Sequence, residues 1–434
     1  MYYFKLIIAF LNKFKFIISI GIVFGIFSFY LFNNFIYKNY LGKTTTIGIL
    51  GRYRPNDLPL YILNKISRGL TKVKDGNLEP DLAEYWETTD KGKTWIFKLK
   101  DNIYWHDGTK ISSNDIILEF SGVSIEKPND NTIKFILDEP YSPFPYIVSK
   151  PIFKKGLMGT GDWKVKNIKI VNTYISYLML KNSEGNTLIY KFYPSSDLLK
   201  HAYKMGKIDQ IKNISDPSPF NNWNNSKIIK NLNYSQIVTL FFNTQDKILS
   251  EKIIRQSLNY AIDKESFGNR AYTPLNPESW AYNPQVKSYD FNIDNSLNLL
   301  KEIPKEIKDN LEITLITTPN LLNIAEKISK DWEKISVKTT IQVSSTKPNE
   351  YQCFLTIFDI PNDPDQYPLW HSTKKDTNIT KLNNPRIDKL LEDGRVELDI
   401  EKRRKIYLDF QKYLLEELPA IFLYHPVYYD IIRK

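Results

Sequence analysis

The sequence predicts a mixed α/β fold carried behind a single membrane-spanning helix. Three observations lead there. FIISIGIVFGIFSFYLFNNFIY (16–37) contains no charged residue. LEITLIT, NLLNIAEKISKDWEKI and VKTTIQVSS (311–345) alternate strand, helix and strand periodicities. The first half of the chain carries short aromatic and β-branched runs broken by proline and glycine, which read as strands.

The charge-free run comes first. As a helix it is about 33 Å long, enough for a hydrocarbon core of about 30 Å. Lys5, Lys13 and Lys15 precede it, which favours an N-inside orientation. A cleaved signal peptide would have a shorter apolar core and an A-x-A-like site, and neither is evident. No cysteine follows it that could take a lipid. The expectation is an uncleaved single-pass anchor over about residues 16–37, in a segment 1–43, with the remaining chain outside the cytoplasm.

Composition narrows the class. With 434 residues, 42% of them hydrophobic, the chain has material for two or three domains. Of the net charge of +10, half sits on the five lysines of residues 1–44, where there is no acid. The rest is too evenly spread for a nucleic-acid face. One cysteine, Cys353, rules out an internal disulfide framework and a cysteine-based zinc site, and it reads as a buried thiol.

Along the body, TTTIGIL (44–50) reads as a buried strand. TWIFKLK (94–100), TIKFIL (132–137), WKVKNIKIV (163–171) and TLIYKFY (187–193) follow as strands. KIIRQSLNYAID (252–263) has helical spacing. The strand–helix–strand run at 311–345 describes a parallel pair with a right-handed crossover. CFLTIFD (353–359) is a further apolar strand. Residues 400–419 form a helix with Asp399 as N-cap and Pro419 as stop.

Signals for chemistry are weak. The four histidines are scattered, with no HExxH, P-loop, GxSxG or GxGxxG pattern. The densest acid cluster is FDIPNDPDQY (358–367). It is not an EF-hand: counted from Asp359, position 6 is Pro364 and position 12 is Trp370, where glycine and glutamate are needed. The prolines also forbid a helix aligning Asp359 with Asp363. Asp359 ends a predicted strand, and ligands of open α/β sheets bind beyond such ends. A carboxylate there can hold an ammonium group, while Asp363 and Asp365 read as loop-shaping residues.

Several stretches, taken in order, resemble a known family. They are PDLAEYWETTDKGKTWIFKLKDNIYWHDGTKISSNDIILEF (80–120), DNTIKFILDEPYSPF, MGKIDQI (205–211), VTLFFNT with IIRQSLNYAIDKESF, and NNPRIDKLLEDGRVELDIEKRRKIYLDFQKYLLEELPAIFLYHP. Together they are similar to the family 5 extracytoplasmic solute-binding proteins of ABC importers, the oligopeptide- and dipeptide-binding group. The resemblance implies a two-lobed periplasmic-binding-protein-like α/β fold (type II, cluster C) with an inserted domain. It places one lobe at 44–68 and 156–239, the insert at 69–155, the second lobe at 240–420, and a return to the first lobe at 421–434.

It also implies a receptor and no enzyme, with no cofactor and no metal. The expected partners are a peptide or other small solute and the permease and ATPase subunits of an importer. The chain is expected to act as a monomer on the cell membrane. An extracytoplasmic sensor or interaction domain is the alternative, and a hydrolase the weakest. In peptide-binding relatives the acid ending the strand matched by CFLTIFD receives the peptide's α-amino group, which points to Asp359. The family spacing is D-x-x-D/E-P; here it is one residue longer, which keeps Asp363 as a second candidate. The expected ligand-binding set is Asp359, Phe358 and Ile357 on the strand, Trp280 and Tyr282 in PESWAYN, and Trp370 and Asp363 in the acid loop. An extended peptide is expected to pair with the strand edge.

Overall fold

The computed structural model describes residues 2–31, 42–74, 76–308 and 311–434. Helix α1 (Tyr2–Leu31) opens the chain. Within it, Lys13–Tyr30 is long and apolar enough to cross a membrane, and none of that window is buried. Residues 32–37, the end of the expected span, lie outside the described residues.

The chain divides into two compact units: residues 1–67, 155–228 and 430–434, and residues 68–154 and 229–429. In chain order, β1 (Thr44–Leu50) and α2 (Leu60–Ile66) come first. Then follow β2 (Thr71–Lys74), β3 (Asn77–Pro80), β4 (Ala83–Thr88), β5 (Thr94–Leu99), β6 (Val123–Asn129), β7 (Thr132–Leu137) and α3 (Phe144–Ile147). The chain continues with β8 (Trp163–Val171), β9 (Tyr174–Asn182), β10 (Thr187–Tyr193), α4 (Ser196–Lys204), β11 (Gln210–Ile214) and β12 (Ser226–Leu232). Next are β13 (Gln236–Phe242), α5 (Lys252–Tyr260), α6 (Ile293–Lys301), α7 (Lys305–Lys308), β14 (Glu312–Thr317), α8 (Leu322–Glu333), β15 (Lys338–Val343) and β16 (Cys353–Asp359). The last are α9 (Tyr367–Trp370), α10 (Pro385–Val396), α11 (Ile400–Glu417), β17 (Ala420–Tyr424) and β18 (Val427–Arg433).

The first unit is built on a seven-stranded sheet in the order β12-β18-β11-β1-β10-β9-β8. Strand β1 is interior and runs parallel to β10 and β11. Helix α4 packs close over it: a Cβ on Gly48 would come within 2.5 Å of the Leu199 side-chain tip and 2.4 Å of that of Ile208, so a larger residue there would require both side chains to shift. Ser195 caps α4 by accepting from the Leu198 amide.

The second unit holds two larger sheets. Strands β4-β5-β7-β6 are antiparallel, and β7 alternates buried and half-buried residues as a one-sided strand should. Phe97, Phe135 and Phe144 meet in its core. The other sheet, β15-β14-β16-β13-β17, is mixed. Its interior strand β13 (QIVTLFF) is buried after its first residue, the unbroken apolar run of a strand covered on both faces. Strands β14 and β15 are the parallel pair read from the sequence, joined by α8. That helix buries Ala325, Ile328 and Trp332, and the indole of Trp332 donates to the Leu258 carbonyl at 3.0 Å. Helix α11 starts on Asp399, whose side chain accepts from the Glu401 and Lys402 amides, and stops at Leu418 in the left-handed region ahead of Pro419.

Cys353 is fully buried at the start of β16, and burial pushes its thiol well above the usual range. It is the buried thiol expected from the sequence.

Candidate functional site

Strand β16 brings the acid loop to one end of the five-stranded sheet. Alternation along the strand sends Phe358 into the core, 6% exposed, and leaves the Asp359 side chain exposed on the other face. Ile357 shares that face and is half-buried.

The Asp359 carboxylate is held from across the sheet. Gln236 pairs with Asp359 in the β13–β16 register, and its Nε2 donates to Asp359 Oδ1 at 2.7 Å. The amide is fixed in turn, because Gln236 Oε1 accepts from the Tyr428 hydroxyl at 2.8 Å and from Asn233 Nδ2 at 3.0 Å. His425 Nδ1 lies 2.9 Å from the Gln236 carbonyl, and Tyr234 meets its ring edge-on at 5.1 Å. Burial lowers the pKa of His425. Tyr428 is raised by burial and then by the charge on Asp359. Among the described residues, no lysine, arginine or histidine lies within ion-pair distance of Asp359.

The other two acids have been neutralised within the protein. Asp363 is 5% exposed and accepts two hydrogen bonds from Arg403, at 2.7 Å from Nη1 and 2.5 Å from Nη2. Its Oδ1 also accepts from the Asp365 amide at 2.8 Å. Asp365 accepts from Arg395 Nε at 3.1 Å and from the Tyr367 amide at 3.1 Å. Burial raises the Asp365 pKa, and Arg395 opposes the rise.

The expected aromatics divide the same way. Trp370 is 1% exposed, with its indole donating to Gln366 Oε1 at 2.7 Å, so it belongs to the core with Phe241, Phe358 and Phe422. Trp280 is half-buried and walls the ion pair: the Arg403 guanidinium lies 5.5 Å from its ring centroid. Tyr282 is half-buried against the core that holds Phe358 and Trp370, and burial chiefly raises its pKa. Of the expected set, Asp359 and Ile357 share an accessible strand face, Tyr282 packs half-buried against the core, and Phe358, Trp370 and Asp363 lie inside. Gln236, Tyr428 and His425 are contributions the sequence reading lacked.

Strand β16 is not a sheet edge, contrary to expectation, because β13 and β14 flank it. Its last third has one open side, however. The β14 pairing ends at Thr317↔Leu355, with Thr318 N donating to Leu355 O at 3.3 Å. Ile360 N donates to Ser235 O on the β13 side. Because the main-chain groups of successive residues alternate sides, those of Ile357 and Asp359 face away from β13, beyond the end of β14. Among the described residues, no group of histidine, cysteine and carboxylate side chains is placed to hold a metal ion.

Comparison with known proteins agrees with this architecture. The dipeptide-binding protein of Escherichia coli is 24% identical over 88% of this chain and 86% of its own length. The oligopeptide-binding protein AppA of Bacillus subtilis is 24% identical over 89% of this chain and 85% of its own. The solved structure of AppA from Bacillus subtilis, in complex with a nonapeptide, superposes with a TM-score of 0.71 at 21% identity, covering 92% of this chain and 95% of that one. The fold is therefore the α/β fold of periplasmic binding proteins. Residues 77–378 match the bacterial extracellular solute-binding proteins, family 5 Middle. The chain belongs to that family, a family of extracytoplasmic receptors for solutes and not of enzymes.

Proposed function

We propose that this protein is the peptide receptor of an ABC importer, anchored in the membrane by α1, and that Asp359 receives the peptide's α-amino group. The observation carrying this is the state of Asp359: a carboxylate at a strand end, oriented by Gln236 and, among the described residues, without a protein cation. An ammonium group would complete it through charge-assisted hydrogen bonds, each contributing about 1.5–3 kcal/mol. Ile357 and Asp359 have main-chain groups that face away from β13 beyond the end of β14, open among the described residues to an extended backbone. Tyr282, Tyr234 and Tyr428 supply an aromatic surround, while Phe358, Trp370, Trp280 and Asp363 support it from behind. Relatives named for dipeptides and oligopeptides favour a peptide over other solutes. The same relationship supports delivery to the permease and ATPase subunits of an importer.

Native mass spectrometry of the purified protein identifies the co-purifying solute, which is expected to be a peptide. That peptide is then made with a free and with an acetylated N-terminus and titrated calorimetrically. Asp359→Ala should weaken the free-amine form by about 2–5 kcal/mol and the acetylated form hardly at all. Equal losses would remove Asp359 from the role, and a non-peptide ligand would remove the peptide. The anchor is tested by fractionation: the chain should stay with membranes through salt and alkali washes and leave only with detergent.

A further inference from the structure

We propose that the second unit carries a further ligand site, sharing no lining residue with the Asp359 group, that takes a small amphiphilic organic cation. A cleft of about 700 Å³ opens between the segment 120–147 and helix α10. That volume lies within the range of about 300–1,000 Å³ typical of small-molecule sites. One wall is aromatic, with Phe120 and Phe144 packed edge-to-face at 5.8 Å. The opposite wall includes Val396, an apolar side chain that is 44% exposed.

The walls are fixed. The Arg395 guanidinium lies 4.8 Å from the Tyr141 ring centroid and 4.3 Å from that of Tyr367, and both tyrosines line the cleft. The Ser142 amide donates to the Arg395 carbonyl at 2.7 Å, tying the two walls together.

Charge selects the ligand. Asp138, Glu139 and Glu392 line the cleft, and Arg395, the lone basic lining residue, is already committed to Asp365. Glu392 has His371 at 3.3 Å, but among the described residues the carboxylates of Asp138 and Glu139 have no partner. In a chain of net charge +10, this concavity is negative. Apolar walls of this extent are wasted on a bare metal ion, and the carboxylates repel anions. An aliphatic or aromatic body bearing an ammonium group satisfies both.

The test titrates the full-length protein calorimetrically with 2-phenylethylamine, using 2-phenylethanol and 3-phenylpropionate as neutral and anionic controls. Wild type and Asp359→Asn should bind the amine alike, with the alcohol at least about tenfold weaker and the acid undetected. Asp138→Asn/Glu139→Gln should weaken the amine by about tenfold or more. Val396→Trp, at an exposed position that tolerates the larger side chain, should fill the cleft and abolish binding. No saturable binding to wild type, equal binding of all three probes, or unchanged affinity in both cleft variants would overturn the proposal. Loss of binding in Asp359→Asn would also overturn it, by moving the amine to the other site. That result leaves the peptide reading standing, so the two fail separately.

Discussion

The last residue of β16 and the loop after it treat the same chemical group in opposite ways. Asp359 keeps its carboxylate in solvent, with one amide to orient it. Four residues later Asp363 is sealed against Arg403, and Asp365 is buried against Arg395. A buried charge is tolerated when its lone pairs are filled by a matched cation, and the paired guanidinium does that for Asp363. Lys264 gives a third answer. It is 2% exposed, with no carboxylate in contact among the described residues, donating to the carbonyls of Asn259 and Ile262, and burial chiefly pulls its pKa down to about 7. Pairing, a lowered pKa and exposure are three solutions to one problem. Only exposure leaves a charge available to a solute.

The contrast can be broken most forcefully at Asp363. Asp363→Ala strands Arg403 as an uncompensated buried cation and should cost about 3–5 kcal/mol in denaturant unfolding. Asp363→Leu with Arg403→Met, which removes both charges, should recover most of that loss. Lys264 sharpens the comparison through pH. Its folded pKa of about 7 lies below an unfolded value of about 10.4, so between these the unfolded chain binds more protons. Stability should therefore rise as pH increases from about 7 towards 10, by up to about 1.4 kcal/mol per pH unit, and Lys264→Met should flatten the slope. Asp399→Ala removes the cap of α11 and should cost about 1 kcal/mol in the same assay. Asp359→Asn comes last: with no cation paired to it among the described residues, its unfolding free energy should stay within about 0.5 kcal/mol of wild type. A larger loss would mean that the exposed acid is structural after all.

What the sequence disclosed follows from the range of the interactions. The β14–α8–β15 run and the α11 stripe were legible because their signals repeat within a few residues. Asp359 was legible because it closes an apolar run, and a strand end is a local property. Its partners were not. Gln236 reaches it from 123 residues away, and Arg403 reaches Asp363 from 40 residues away. No periodicity links such positions. The aromatics show the same limit: FDIPNDPDQYPLW does not say which side of the chain faces the core. Strand alternation settles Phe358, and the short turn of α9 settles Trp370. The open side of β16 was also hidden, because it depends on where β14 stops relative to β16, a matter of register between distant strands.

The chain of donors running from Tyr428 through Gln236 to Asp359 has a kinetic meaning. Two groups hold the Gln236 carbonyl oxygen, so its amide cannot turn over without breaking both, and the carboxylate beyond it loses a rotation that a surface aspartate ordinarily has. That loss of freedom occurs when the sheet forms. A solute arriving at Asp359 meets an acceptor already aimed, and the encounter need not wait for a side chain to settle.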